Sequence, residues 1–447
     1  MNPIFRSLSV SGWRQFRSVE IDFHPRLTVI TGANGAGKSS LLGLLSAHFG
    51  WQRAYLGTPR RKRRNGATIF SAGLRRHRKL KESVQQPLHQ SGQPPFQQGH
   101  EVGSIIYSND HRASIQVASG AQQYTPFIVG QLQVVGTFMS SHRPFPVFQQ
   151  VGSIPTSVIR PDAAYSSHFS ETVQRLNGQS GGFSPIFRMK EALLSMVLLG
   201  VKSEFSAGDQ DALDTFSGFV EILRIMLPQT LGFKDLSVRP PDIVLETTSG
   251  DFLLDAASGG VISIIELAWQ LYVYSLSSAA KGAERYSVVL DEPENHLHPA
   301  MQRSLMSNLL RAFPRAQFVI ATHSPFMVSS VKDSNVHVLG YMPITDAEEY
   351  VDEDGGDEDS SLTNLVYGVK LDTVNRAGNA SEILRDVLGV PVTVPMWVES
   401  QLKDIVSEYR CKEISAETLG SLREKLNEIG FGELYPQALA EVVKDHD

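Results

Sequence analysis

Among its 447 residues the chain has one cysteine, Cys411, which excludes an internal disulfide and a multi-cysteine zinc site and suits a reducing compartment. No run approaches the 18 uninterrupted apolar residues of a membrane span, and Met1 to Val10 hold no apolar stretch of signal-peptide length. The expectation is a cytoplasmic protein with no membrane partner. No heptad repeat is sustained, so a long coiled coil is excluded. Core-forming residues are plentiful: 41% of the chain is hydrophobic, enough for two to four domains and incompatible with disorder throughout.

Charge is unevenly spread. The formal net charge is −6, yet Arg53 to Lys81 carry eleven Lys/Arg and no carboxylate, whereas Asp346 to Asp359 carry nine carboxylates and no base. The basic block could attract a phosphate polymer by counterion release, which makes Arg60 to Lys81 a candidate nucleic-acid contact. A solvated insertion loop is the equal alternative.

Hydrophobic periodicity orders the rest. Ile4 to Val10, Val19 to Phe23 and the continuous apolar run Leu27 to Thr31 read as strands, followed by a helix over Ser39 to Phe49. Together 1–50 form the start of one lobe. Residues 51–102, rich in Arg, Gln and Pro, read as a poorly packed insertion. Within 103–165, Gly103 to Tyr107, Ala113 to Ala118 and Gln131 to Ser140 suggest an antiparallel sheet. A helical subdomain is expected over 166–235, and alternating strands and helices over 236–345. An acidic linker (346–361) and a helical tail (362–447), with Ser381 and Ser415 as helix caps, complete the chain.

The strongest motif is Gly32-Ala33-Asn34-Gly35-Ala36-Gly37-Lys38-Ser39, set between a buried strand and a helix. This is the Walker A pattern in the context it requires. Glycines let backbone N–H groups turn inward around phosphate oxygens, and the helix N-terminus adds its dipole. The candidate ATP-binding set is Asn34, Gly35, Ala36, Gly37, Lys38, Ser39 and Ser40, with Lys38 on the β and γ phosphates and Ser39 on Mg²⁺. Downstream, the apolar Ser287 to Leu290 delivers Asp291 and Glu292 to a strand edge. Asp291 would share the Mg²⁺ shell with Ser39, and Glu292 could polarise the attacking water. His323, after the strand Gln317 to Ala321, is positioned to bond the γ-phosphate. A lone strand-end histidine is usually structural, but beside the other two motifs the ligand contact is favoured.

The order Walker A, Asp-Glu-Pro-Glu-Asn-His-Leu-His-Pro at 291–299 and Ala-Thr-His-Ser-Pro at 321–325 resembles the ABC-type ATPase heads of the SMC-like and OLD class, which includes anti-phage defence ATPases of the Septu, retron-associated and PARIS types. The resemblance covers residues 1 to about 340. It implies an α/β P-loop head with an antiparallel β subdomain and a helical subdomain. It further implies that Glu294 to His298 form the D-loop, that His323 is the switch histidine, and that two heads sandwich two ATP molecules. A signature motif then contacts the partner's γ-phosphate; its best match is Ala257-Ser258-Gly259-Gly260, with Ala257 where leucine is usual and Val261 where Gln or Glu often stands. An ordinary Ser-Gly-Gly loop is the alternative. The Q-loop place falls at Ser140-Ser141-His142-Arg143-Pro144, without a glutamine. Adenine stacking would use residues near Trp13 to Phe16, although core packing is favoured for both aromatics.

Class members often continue into a Toprim nuclease. Here Asp352, Asp354, Asp357 and Asp359 have Asp-x-Asp spacing but lie in a glycine-containing acidic stretch, and Met396-Trp397-Val398-Glu399 resembles a strand ending in glutamate with no metal-binding strand after it. No intrinsic nuclease is expected. The favoured function is a homodimeric or higher-order ATPase that gates a separate effector, such as an HNH or Toprim nuclease or a toxin, in anti-phage defence. The alternative is a DNA-repair or recombination ATPase that binds duplex DNA directly.

Overall fold

A computed structural model describes residues 2–61, 68–71, 99–118, 121–141, 148–176, 183–204, 207–343, 364–371, 383–384, 396–410 and 415–444. The chain divides into two compact units, Met1–Ile383 and Leu384–Asp447.

An 11-stranded sheet organises the first unit. Its strands are β1 (Phe5–Trp13), β2 (Phe16–Asp22), β3 (Leu27–Gly32), β7 (Gly99–Tyr107), β8 (Arg112–Ala118), β10 (Phe127–Val129), β11 (Gly136–Met139), β15 (Tyr286–Asp291), β16 (Ala316–Ala321), β17 (Asn335–Pro343) and β18 (Asn364–Lys370), in the order β10-β8-β7-β1-β2-β18-β17-β3-β16-β15-β11. Short pairs β4 (Tyr55–Leu56) with β9 (Gln123–Tyr124), and β5 (Thr58–Arg61) with β6 (Thr68–Ser71), lie apart from it. From β17 to β11 every pairing is parallel, and β3, β15 and β16 are buried at every residue. Their largely apolar sequences suit strands covered on both faces, and the buried polar pair Ser287 and Gln317 bond each other. From β10 to β2 the pairing is antiparallel, with alternation as in β8. Trp13, Phe16, Leu41, Leu45, Val289 and Val319 share the core beneath this sheet.

The first long helix is α1 (Lys38–Ser46). The helical subdomain holds α2 (Pro161–Leu176), α3 (Pro185–Gly200) and α4 (Gln210–Met226), packed with α5 (Gly259–Leu276). Ser184 and Asp209 cap α3 and α4 by accepting from Phe187 N–H and Ala212 N–H. A three-stranded sheet, β12 (Phe233–Arg239), β13 (Asp242–Thr247) and β14 (Phe252–Leu253), leads into α5. α5 is long and apolar enough to cross a membrane by composition, but 72% of it is buried inside the fold. α6 (Ser278–Lys281), α7 (Pro299–Ala312) and α8 (Pro325–Val328) complete this unit. The second unit contains α9 (Met396–Arg410), α10 (Ala416–Glu428) and α11 (Tyr435–Lys444), closed around Val406, Tyr409, Leu422, Leu426 and Ala438. Ser415 caps α10.

Four sequence expectations change. Residues 364–370, expected in the helical tail, form β18 and pair with β17 and β2 inside the main sheet. Gln131 to Ser140, expected in the antiparallel sheet, contributes β11, which runs parallel to β15. Helix α2 begins at Pro161, before the expected subdomain boundary. Met396 to Glu399 open a helix, not a strand. Within 51–102, Arg60 and Arg61 lie on β5; Lys62 to Arg64, Arg75 to Lys81, the acidic stretch 346–359 and Ser381 lie outside the described residues.

Candidate nucleotide site

The site sits at the C-terminal edge of the parallel strands, where doubly wound sheets place their ligands. β3 ends at Gly32, whose φ is 136° and where a Cβ would lie 2.2 Å from Leu339 O of β17. Only glycine lets the two strands approach so closely. The turn continues through Gly35 (φ 78°) to Gly37 (φ 94°), packed on Phe16 and Gln15, and Gln15 Nε2 donates to Gly35 O at 3.0 Å. Lys38 begins α1 and is 5% exposed. Its ammonium donates to Gly32 O at 3.0 Å and Ala33 O at 3.1 Å and meets His323 Nδ1 at 3.3 Å. Burial lowers its pKa from 10.5 to about 8, while Glu292, Asp291 and Glu294 favour the charged form.

β15 and β16 bring the other groups to the same edge. Asp291 is buried and hydrogen-bonded to Ser39; burial raises its pKa, and the Ser39 bond opposes that shift. Glu292 turns the chain at φ 47°, a costly conformation for a non-glycine residue, and its N–H donates to Ala321 O at 2.9 Å. Its Oε2 accepts from Asn295 Nδ2 at 3.0 Å, and its Oε1 lies 3.6 Å from His323 Nε2. An ammonium can only donate, so His323 Nδ1 accepts from Lys38 and the proton of the neutral ring resides on Nε2, facing Glu292. Burial and the Lys38 charge lower the His323 pKa and favour that neutral form.

Glu294, beyond Pro293, is buried, with Oε1 accepting from Thr322 Oγ and from His323 N–H at 3.2 Å. The turn ends through His296 (φ 69°) and His298, whose Nδ1 accepts from Ala300 N–H to cap α7. Ser258 and Gly259 are exposed at the start of α5, and a Cβ at Gly260 would lie 3.1 Å from His296 O. Just upstream, Asp255 is bound by Lys190 of α3, which is 1% exposed and also donates to Asp242 Oδ1 at 3.2 Å and Gln149 O at 2.6 Å.

Two family profiles match this arrangement: "AAA domain" over residues 7–113 and "AAA domain, putative AbiEii toxin, Type IV TA system" over residues 247–329. Over these two segments the chain is similar to AAA domains. The two profiles contain its P-loop and its carboxylate–histidine edge, respectively. The Septu protein PtuA of Bacillus thuringiensis is 28% identical over 182 residues, 39% of this chain and 42% of that protein. The retron Vc95 probable ATPase of Vibrio cholerae is 35% identical over 52 residues, 12% of this chain and 10% of that protein. The chain thus aligns with less than half the length of these curated relatives. Among solved structures, the SMC head domain from Thermotoga maritima has 13% identity and a TM-score of 0.39, covering 82% of this chain and 99% of that one.

The sheet edge brings Lys38, Ser39, Asp291, Glu292 and His323 into one chain of contacts. Asn34 and Gly35 are exposed on the loop, Ala36 is buried beneath it, and Ser40 N–H donates to Gly37 O at 2.9 Å. Of Ser258 to Gly260, Gly260 approaches the turn after β15 at His296 O. Trp13 and Phe16 are fully buried, with Trp13 Nε1 donating to Tyr124 Oη at 3.1 Å, so they pack the core and cannot stack a base. His142, Arg143 and Pro144 lie outside the described residues; Ser141 O accepts from Asn295 Nδ2 at 3.3 Å. Three neighbours escaped sequence reasoning: Gln15, Tyr341, whose Oη donates to Asn34 O at 3.4 Å, and Arg53, whose charge acts on Asp291. None belongs to a motif. Ser39 and Asp291 offer Mg²⁺ two hard oxygen ligands, and among the described residues no group of three or more His, Cys, Asp or Glu is arranged to hold a metal ion alone. That fits Mg²⁺, which takes its remaining ligands from phosphates and water.

Proposed function

We propose that the head binds and hydrolyses ATP in the cytoplasm and that two heads close around two nucleotides to gate a separate effector, a nuclease or toxin, in anti-phage defence. The convergence of Lys38, Ser39, Asp291, Glu292 and His323 on one sheet edge carries this reading, and the similarity to Septu and retron proteins supports its defence setting. Backbone N–H groups of 34–39 and Lys38 hold the phosphates. Ser39 and Asp291 would hold Mg²⁺, which neutralises phosphate charge when bound. Glu292 accepts a proton from the attacking water as the terminal P–O bond breaks to leave ADP and phosphate, and His323 fixes the γ-phosphate through Nε2–H. Exposed Ser258 and Gly259, with half-buried Gly260, complete the site of a second head.

Glu292→Gln should keep ATP binding, lower turnover by about 10²-fold or more, and accumulate an ATP-dependent dimer in light scattering; normal turnover by this variant would refute the assignment. Lys38→Ala and Ser258→Arg subunits, each inactive alone, should regain one working site per heterodimer when mixed. No recovery would refute a site shared between heads. Co-purification with an effector encoded nearby, and nuclease or toxin activity that follows the nucleotide state, tests the gating.

A further inference from the structure

We propose that Glu294 is a positioning residue for His323, locking the histidine into its place between Lys38 and Glu292; this rests on the ATPase reading above. Glu294 is 7% exposed, and one oxygen takes both bonds the segment offers, from Thr322 Oγ and from His323 N–H at 3.2 Å. Its second oxygen, Oε2, is buried with no hydrogen-bond partner. A carboxylate buried with an orphan oxygen is a poor choice for stability alone, since an apolar side chain of similar size avoids the desolvation cost.

What the carboxylate provides is a fixed peptide at 322–323. Thr322 is a junction: its Oγ also accepts from Ser324 N–H at 2.9 Å, and its carbonyl accepts from Thr31 Oγ, at 2.9 Å, one residue before the phosphate loop. Glu294 therefore ties the segment after Glu292 to the strand end that carries His323 and, through Thr322, to the root of the phosphate loop. His323 meets Lys38 Nζ at 3.3 Å and Glu292 Oε1 at 3.6 Å. Without the Glu294 acceptor, His323 N–H and Thr322 Oγ–H lose their partner, and the backbone beneath the imidazole is no longer held.

A double-mutant cycle with His323→Ala tests this. Glu294→Leu should lower kcat for ATP by about tenfold or more while KM changes by less than about threefold. Glu294→Gln, which keeps a carbonyl acceptor, should restore most of the turnover. In the His323→Ala background, Glu294→Leu should lower kcat by less than about twofold, because the group it positions is gone. Thr322→Val removes the other half of the clasp and replaces Glu294→Leu in the cycle if the latter does not fold. Equal losses in both backgrounds, or wild-type kcat for the Leu and Val variants, overturn the proposal. Wild type and Glu292→Gln run beside them: no hydrolysis by wild type overturns the ATPase reading and this proposal together, whereas normal controls with additive losses overturn this proposal alone.

Discussion

Lys38 should weaken the fold that uses it. Burial lowers its pKa from 10.5 to about 8, so keeping the ammonium charged at pH 7 costs folding about 3 kcal/mol at ~1.4 kcal/mol per pH unit. Lys38→Met keeps the stem and removes the charge, at the loss of donation to Gly32 O and Ala33 O. Without nucleotide the variant should be more stable than wild type at pH 7 by about 1–3 kcal/mol. The sign of the pH dependence follows from proton counts. Between pH 8 and 10.5 the unfolded chain holds the Lys38 proton and the folded chain does not, so wild-type stability rises with pH and the variant's advantage shrinks towards zero. Denaturant unfolding followed by circular dichroism at pH 7 and at pH 10 measures both quantities. Saturating ATP supplies the converse: at about 100 times Kd it should stabilise wild type by ~2.7 kcal/mol and the variant not at all. A variant less stable than wild type at pH 7, or an advantage that does not shrink by pH 10, would refute the assigned burial cost.

Asp291→Asn should weaken Mg²⁺-dependent ATP binding by about tenfold or more while leaving binding in EDTA near wild type, measured by calorimetry. Asp255→Asn removes one of the two carboxylates that pair with buried Lys190, and urea denaturation should show a loss of about 3 kcal/mol. His48 and His168 are both held at about pKa 4 by burial, below the ordinary 6.5; their stabilising contribution is complete above pH 6.5 and lost as pH falls towards 4, so His168→Gln should flatten the decline in Tm over that range.

The site was legible where local sequence sets local geometry. Gly32, Gly35 and Gly37 announce a left-handed turn, and the apolar runs before Ser39, Asp291 and His323 announce buried strands that deliver them to one edge. The register between distant segments was not legible. Nothing in Asn364–Lys370 says that it leaves the tail to pair with β17 and β2, because its partners lie far away in sequence. Tyr341 and Gln15 reach the phosphate loop for the same reason: strand order puts them there. Glu294 belonged to a recognised segment, but its bond to Thr322 is visible only once β15 and β16 are neighbours.

The same long-range geometry connects Glu292 to Ser258. Glu292 and His296 both hold left-handed backbone, so the turn between them is a tight unit with few alternative shapes. Within it, Asn295 links the Glu292 carboxylate to Ser141 O beyond β11, and His296 O lies close enough to Gly260 that a Cβ there would meet it at 3.1 Å. Lys190 holds Asp255, three residues before Ser258. The segment from Asp255 to Gly260 is thereby held between the turn that carries Glu292 and an ion pair anchored in α3. A packed segment held at both ends moves as a body and does not bend gradually. Under the function proposed above, a reorientation of Glu292 would reach Ser258 through these backbone contacts.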